Sequence, residues 1–225
     1  METMDQTVSR AMSGLTTTSP RSSPRSLNSS DESKRRALSQ FRDAVEFKTC
    51  DDPGLEKLLL ECSKFWGAVR RQERPRWLVL IGDTGTGKTH MAKKLVRLAQ
   101  KLTRLHGQGD VTLGPRSDGR SYRGAFYSWP KVVGGFFRGD YEQVQDIRDE
   151  WFVAIDDIGS TRAKKDELVI DQLFQILDGR HDKWTVITSN KSLQDLAAIE
   201  LRIQDRLMRR GSQVVITETI SYSMR

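Results

Sequence analysis

The sequence predicts an α/β protein, a three-layer sandwich built around a mainly parallel sheet. Short apolar runs alternate along the chain with longer segments in which apolar residues recur at helical spacing. Runs of that kind, flanked by breaker residues, are typical of strands buried on both faces of a sheet, and helices between them favour parallel pairing. A glycine-rich loop that lies between one such run and a helical segment supports the same fold class.

The first 44 residues differ in composition from the rest of the chain. They are rich in Ser, Thr, Pro and Arg and poor in apolar residues. Such a segment buries too little apolar surface to offset the entropy that is lost on ordering. We therefore expect a disordered, basic arm over residues 1–44 and one folded domain over residues 45–225. The arginines of the arm are equally compatible with phosphate contacts and with a solvated tail.

The folded part is predicted to begin with a helix and a strand. Apolar residues between 55 and 66 recur at helical spacing, Asp51 or Asp52 can cap that helix, and Pro53 fits its first turn. The continuous apolar run 77–81 then predicts the first strand.

The same alternation continues to the end of the chain. Apolar residues between Met91 and Leu102 mark the inner face of a long helix, and the segment 106–123, rich in Gly, Ser and Arg, predicts a loop. The remaining strands follow from apolar runs and the remaining helices from apolar spacing. Strands are predicted at 124–129, 151–155, 184–188 and 213–217, and helices at 131–137, 168–177 and 199–208.

The glycine loop, residues 82–89, carries the most specific chemical signal. It matches G-x-x-x-x-G-K-[ST] in full and lies between a predicted strand and a predicted helix. Its glycines let backbone N–H groups point at phosphate oxygens, and the start of the helix adds the positive end of its dipole. Lys88 supplies a charge for the β- and γ-phosphates, and Thr89 offers a hydroxyl to Mg²⁺. The predicted nucleotide-binding residues are Gly82, Asp83, Thr84, Gly85, Thr86, Gly87, Lys88 and Thr89.

Two carboxylates and an amide follow the next predicted strands. The apolar run 152–155 ends in Asp156 and Asp157, which places both at the carboxyl edge of the sheet, where open α/β folds bind ligands. We expect Asp156 to hold Mg²⁺ and Asp157 to orient or deprotonate the attacking water. The amide of Asn190 can hydrogen-bond the γ-phosphate and that water, although a Ser-Asn pair after a strand is also a common turn.

Arg202 and Arg206 lie four residues apart on a predicted helix and therefore on one face of it. A subunit that completes the active site of its neighbour needs an arginine that reaches outward. Two solvated arginines on a basic helix are the alternative.

The preferred nucleotide follows from one position. Residues 156–159 fit D-x-x-G and Asn190-Lys191 begins N-K-x-D, the two motifs of a GTPase. The second motif needs an acid at position 193 to receive the donors of guanine, and Leu193 cannot accept a hydrogen bond. The sequence therefore favours ATP.

Charge and composition limit the location and the partners. A net charge of +7 and a pI near 9.5 favour a polyanionic partner, nucleic acid above all, although a charge of this size also serves solubility. No apolar run approaches the roughly 20 residues that cross a bilayer, and the two cysteines are too few for a disulfide framework or a structural zinc site. We expect a cytoplasmic protein.

Four motifs occur in order and together resemble a known group. They are Gly-Asp-Thr-Gly-Thr-Gly-Lys-Thr-His-Met at 82–91, Ala-Ile-Asp-Asp-Ile-Gly at 154–159, Ile-Thr-Ser-Asn-Lys-Ser at 187–192 and Arg-Ile-Gln-Asp-Arg-Leu at 202–207. With the closing Ser-Tyr-Ser-Met-Arg, the chain from about residue 45 to 225 resembles the DnaC-type replicative helicase loaders and the IstB-type transposition helpers. Both are AAA+ ATPases of the P-loop NTPase (ASCE) fold.

The resemblance implies specific roles. Lys88 and Thr89 would form Walker A, Asp156 and Asp157 Walker B, and Asn190 sensor 1. Arg202 would be the finger that contacts ATP on the adjacent subunit of a homo-oligomer. The resemblance also implies single-stranded DNA and either a replicative helicase or a transposase as partners, and a slow, Mg²⁺-dependent ATPase that DNA or assembly stimulates.

The chain departs from the family pattern at three places. The usual Asp-Glu of Walker B is Asp156-Asp157, and the shorter second acid bears on the rate of hydrolysis. The terminal Ser-Tyr-Arg is Ser-Tyr-Ser, which leaves Arg225 as the substitute for sensor 2 in nucleotide binding. A helicase-gripping N-terminal domain is replaced by the Ser/Arg arm. A viral or phage helicase or packaging motor, and a binding adaptor without turnover, are the alternatives from other classes.

Overall fold

The structure, a computed structural model, describes residues 25–49, 51–106, 124–160, 166–209 and 211–217, with the backbone alone at 25–30 and 104–106. The chain divides into two units, Met1–Arg35 and Arg36–Arg225. In the first unit Lys34 lies 3.5 Å from Asp31, an exposed pair one helical turn apart. The second unit contains the sheet and the sites described below. Most of the loop predicted at 106–123 lies outside the described residues.

Five parallel strands form one sheet in the order β2-β3-β4-β1-β5. The first strand is therefore central, and it pairs with the two strands that come last in the sequence. All carboxyl ends lie at one edge of the sheet, and the predicted strands and fold class are confirmed. The strands are β1 (Trp77–Gly82), β2 (Ala125–Ser128), β3 (Phe152–Asp156), β4 (Trp184–Ser189) and β5 (Gln213–Thr217).

Helices cover both faces of the sheet and give the three predicted layers. One apolar cluster joins the sheet to the first three helices, and a second cluster joins its other face to the helices that follow β2. The inner strands β1, β3 and β4 are buried because both of their faces meet these clusters. The helices are α1 (Arg25–Val45), α2 (Pro53–Arg70), α3 (Lys88–His106), α4 (Trp129–Phe136), α5 (Glu142–Asp149), α6 (Glu167–Gly179), α7 (Leu193–Ile199) and α8 (Leu201–Leu207).

Helix α1 corrects the prediction of disorder for part of the basic arm. Residues 25–45 are helical, although composition alone favoured an unstructured segment up to residue 44. Three apolar residues recur at helical spacing and pack on the first apolar cluster, namely Leu38, Phe41 and Val45. They bury enough apolar surface to stabilise the helix, although the segment as a whole is polar. The domain boundary that we predict at residue 44 stays a prediction, and residues 1–24 lie outside the described part of the chain.

The predicted start of α2 is confirmed, and the predicted helix 199–208 corresponds to α8. Asp52 caps α2 by accepting a hydrogen bond from the backbone N–H of Leu55 at 3.0 Å. Helix α7 was not predicted, and a capping box formed by Ser192 and Asp195 starts it. Glu200 then adopts an extended backbone and caps α8, so the chain breaks between the two helices. Helix α5 was not predicted, because it is largely polar.

A fully buried arginine holds the amino edge of the sheet. Arg180 donates hydrogen bonds to the carbonyl oxygens of Ile147 (2.6 Å), Glu150 (2.8 Å) and Trp184 (2.7 Å) and to the hydroxyl of Thr185 (2.9 Å). Burial lowers the pKa of Arg180 to about 9, so the side chain stays charged at neutral pH. Arg180 thereby ties the connection before β3 to the start of β4.

None of the helices in the described residues is long and apolar enough to span a membrane.

Candidate nucleotide-binding site

The glycine loop connects the end of β1 to the start of α3, as the sequence predicts. Two of its glycines are required by geometry. A Cβ added at Gly82 would overlap Thr217, the last residue of the neighbouring strand β5. Gly87 has a φ of +84°, and a Cβ there would lie 2.9 Å from the ring of Phe47. The loop is therefore held between β5 on one side and Phe47 on the other.

Lys88 is folded into the glycine loop. Its ammonium donates hydrogen bonds to the carbonyl oxygens of Gly82 (2.8 Å) and Asp83 (2.7 Å) and to the hydroxyl of Thr86 (3.1 Å). Burial lowers the pKa of Lys88, and the nearby carboxylates of Asp157, Asp156 and Asp83 oppose that shift. An anion in the loop would supply the charge that the neutral carbonyl partners lack.

A cavity of about 300 Å³ opens over the loop. It lies at the carboxyl edge of the sheet, and most of the predicted site residues meet around it. Gly82 and Asp83 stand at the start of the loop, where their carbonyls hold Lys88. The lining residues are Thr84, Gly85, Thr86, Gly87, Lys88, Thr89, His90, Asp156, Asp157 and Asn190.

Asp156 is held by two hydroxyl groups from different elements. Thr89 at the start of α3 donates to Asp156 Oδ1 at 2.8 Å, and Thr188 on β4 donates to the same oxygen at 2.7 Å. Asp156 is buried, so these charge-assisted bonds offset part of its desolvation. The arrangement fixes the carboxylate beside the hydroxyl of Thr89.

Asp157 has a left-handed backbone, with a φ of +67°. Its N–H donates to the hydroxyl of Thr188 at 2.9 Å, and its Oδ1 accepts a hydrogen bond from the amide of Asn190 at 2.8 Å. This unusual conformation directs the second carboxylate toward Asn190 on the adjacent strand end. The side chains of Asp157 and Asn190 therefore lie together at the carboxyl edge of the sheet.

The residues around Asp156 match the ligands that Mg²⁺ prefers. Mg²⁺ takes hard oxygen ligands and is usually bound by one or two carboxylates together with phosphates of a substrate. Thr89 and Asp156 provide a hydroxyl and a carboxylate beside the loop. Among the described residues no group of three or more His, Cys, Asp and Glu side chains could form an all-protein metal cage. The donor set therefore fits a metal ion that arrives with a nucleotide.

Arg202 does not line the cavity of its own chain. Its guanidinium donates a hydrogen bond from Nε to the carboxylate of Glu200 at 2.9 Å, and it lies 4.3 Å from the ring centroid of Phe174. The hydrogen bond to Glu200 raises the pKa of Arg202, and 64% of the side chain is exposed. Arg206 is paired instead with Asp178 at 2.7 Å. Arg225 lies outside the described residues, so its predicted role stays a prediction.

Two side chains at the site were not predicted. Thr188 links the carboxylate of Asp156 to the backbone N–H of Asp157, as described above. Phe47 packs against the loop, and its ring centroid lies 6.0 Å from that of His90, whose Nε2 is 3.4 Å from the carbonyl oxygen of Val45. Phe47 lies in no motif, and Thr188 lies in the motif at 187–192 without a role assigned to it there. The available signal for Thr188 was a hydroxyl next to the carboxyl end of a largely apolar strand.

A larger cavity, of about 670 Å³, lies at the opposite edge of the sheet. It is lined near the amino ends of β1 and β5 by charged side chains and by Trp77, whose ring lies 4.6 Å from the guanidinium of Arg209. None of the predicted site residues borders it. Because the glycine loop and both aspartates stand at the carboxyl edge, volume alone does not identify the nucleotide site.

The fold is similar to that of solved DNA replication proteins. No family model and no curated protein matches the chain. The crystal structure of the DnaC helicase loader is similar at 19% identity with a TM-score of 0.56, covering 75% of this chain and 92% of that one. DnaI is similar at 17% identity with a TM-score of 0.55, covering 80% and 93%.

The replication initiator DnaA bound to AMPPCP and single-stranded DNA is also similar. Its identity is 19% and its TM-score 0.53, covering 72% of this chain and 46% of that one. At such identities the likeness shows the fold alone. The resemblance to DnaC-type loaders that the motifs predict is confirmed at that level.

Proposed function

We propose that the chain is an ATP-hydrolysing AAA+ protein of DNA replication, similar in function to helicase loaders. The observation that carries the proposal is the joint position of Lys88, Thr89, Asp156, Asp157 and Asn190 around one cavity at the carboxyl edge of the sheet. A nucleotide-free scaffold has no need for two neighbouring carboxylates beside a buried lysine, whereas a triphosphate site uses all of these groups.

Each residue has a distinct task in the proposed reaction. Backbone N–H groups of the loop and Lys88 bind the phosphates, and Lys88 exchanges its carbonyl partners for phosphate oxygens. Water attacks the γ-phosphorus, the bond to the β–γ bridging oxygen breaks, and the carboxylate of Asp157 accepts the proton of the water. Asn190 holds Asp157 through the hydrogen bond described above. Thr89 and Asp156 would hold Mg²⁺, which neutralises charge on the phosphates.

Calorimetric titration with Mg·ATP and Mg·GTP tests nucleotide binding. We expect ATP to bind more tightly than GTP, and Lys88→Ala to abolish the heat of binding. Asp157→Asn should leave ATP binding intact and lower the steady-state release of phosphate. Asp43→Asn, an exposed carboxylate on α1, is the matched control. Equal turnover by wild type and Asp157→Asn would leave a binding adaptor as the better description.

Arg202 is the proposed finger that completes the site of a neighbouring subunit. Its exposure and its distance from the cavity of its own chain suit a role across an interface. Arg202→Ala should retain ATP binding and lose hydrolysis in the assembled state, whereas Arg206→Ala, on the same face of α8, should retain both. Normal hydrolysis by an Arg202→Ala assembly would refute the assignment.

The proposed partners are single-stranded DNA and a ring-shaped replicative helicase. The likeness of the fold to a helicase loader and to an initiator that was solved with single-stranded DNA supports this choice, as does the positive charge. A transposase remains the second candidate partner, from the resemblance to IstB-type helpers. Pull-down of a candidate helicase with and without ATP tests the first choice. Unwinding of a forked duplex by the chain alone would instead indicate a motor.

A further inference from the structure

A second basic site lies on the helix that follows the glycine loop. Between the end of α1 and the outer face of α3 there is a groove of about 270 Å³, named here the basic groove. Ala44 and Glu46 form one wall, and Lys94, Arg97 and Lys101 line the other. These residues lie in one unit of the chain and none of them belongs to the nucleotide cavity.

The groove carries positive charge that the carboxylates of the described residues neutralise only in part. Lys94 forms an ion pair with Glu46, whereas Arg97 and Lys101 are exposed and form no ion pair with any carboxylate of the described residues. The hydrogen bond from Lys94, reinforced by the charge of Arg97, lowers the pKa of Glu46. One carboxylate thus faces three cations. The arginines of α8 differ from these groove cations in their pairing, because Arg202 and Arg206 each form an ion pair with a carboxylate.

The spacing of the unpaired cations suits a chain of phosphates. Arg97 and Lys101 are one helical turn apart, about 6 Å along the axis, which is comparable with the separation of neighbouring phosphates along an extended single strand. The groove also offers the side-chain amide of Gln100, which donates to Gly124 O at 2.7 Å and so is held in place. A positively charged groove that follows the backbone is how proteins bind a single strand without sequence preference.

We propose that the basic groove binds the phosphate backbone of a single nucleic-acid strand, with Arg97 and Lys101 as the contacting residues. The inference rests on the proposed function and gives its nucleic-acid partner a location. The groove is linked to the nucleotide site. Glu46 in its wall is flanked by Val45 and Phe47, which contact His90 and the glycine loop. Arg97 and Lys101 stand about 13 and 20 Å along α3 from Lys88.

Fluorescence anisotropy with a labelled 20-nucleotide oligo-dT, measured over a series of salt concentrations, tests the proposal. The double variant Arg97→Gln with Lys101→Gln should bind the oligonucleotide more weakly. Its plot of log affinity against log salt should be shallower by about 1.4, because about 0.7 is lost for each phosphate contact on a single strand. Its affinity for Mg·ATP should match that of wild type, which shows that the domain is folded.

The matched control is Lys57→Gln with Arg70→Gln. It removes one lysine and one arginine from exposed positions of α2, away from the groove. An equal change in both double variants, or no change in the groove variant, would overturn the proposal and leave the proposed function intact. Failure of the wild type to bind oligo-dT would remove the DNA partner as well. Equal binding of a blunt duplex through Arg97 and Lys101 would refute the preference for a single strand.

Discussion

Thr188→Val isolates the part of the site that the sequence did not reveal. The hydroxyl donates to Asp156 and accepts from the backbone N–H of Asp157, so the substitution removes one hydrogen bond from each acid without changing the size of the side chain. A hydrogen bond to a charged group contributes about 1.5–3 kcal/mol. If that energy positions the acids for the reaction, turnover at saturating Mg·ATP should fall by about 10–100-fold, since 1.36 kcal/mol is tenfold in rate.

The control for this experiment lies on the same strand. Thr185 is also buried and also makes two hydrogen bonds, accepting from Arg180 at 2.9 Å and donating to Lys183 O at 3.0 Å, but at the amino edge of the sheet. Thr185→Val should therefore lower the free energy of unfolding by a similar amount, about 1–3 kcal/mol, while sparing turnover. Phosphate release and urea denaturation measure the two effects. Turnover that falls equally in both variants would refute a specific role for Thr188.

Three further predictions concern the loop and the buried arginine. Burial lowers the pKa of Lys88, and a triphosphate needs the protonated form of this lysine. As the pH rises, ATP affinity should therefore begin to decline before the pH reaches the pKa near 10.4 of an ordinary lysine. Calorimetry from pH 7 to 10.5 checks this, and constant affinity to pH 10 would contradict it. Gly87→Ala should weaken ATP binding by about tenfold, through strain and contact with Phe47, whereas Gly139→Ala, at a φ of +78° with no atom within 4 Å, should not change ATP affinity in the same titration. Arg180→Met should lower the free energy of unfolding by about 3–5 kcal/mol in urea, because it leaves buried carbonyls unpaired, and a loss below 1 kcal/mol would argue against the clamp.

The strands were predictable because a strand that is buried on both faces consists of consecutive apolar residues. A run such as 77–81 is apolar at every position, and only a strand covered on both faces uses such a run between two breakers. The location of the site followed from the same logic. Once the strands are parallel, polar residues that end them must share one edge, and Asp157 and Asn190 both follow strands in this way.

The errors arose where a few long-range contacts outweigh local composition. In α1 three apolar positions join the first apolar cluster, whose other members lie in later parts of the sequence, mainly α2, α3 and the strands. Helix α7 was missed because a capping box marks its start, and apolar spacing does not encode that signal. Phe47 reaches the loop only because the chain folds α1 against α3, so no local pattern could assign it to the site.

The central position of β1 affects how the protein can be made. Its partners β4 and β5 are synthesised after it, and its apolar run Trp77–Gly82 has neither of them to pair with until β4 has been made. About 100 residues separate β1 from β4, which at about 5–20 residues per second is a delay of about 5–20 s. During that interval the apolar run lacks its strand partners, which is the condition that favours aggregation of such segments. We therefore expect shielding of this segment during translation to favour folding, as a consequence of the strand order.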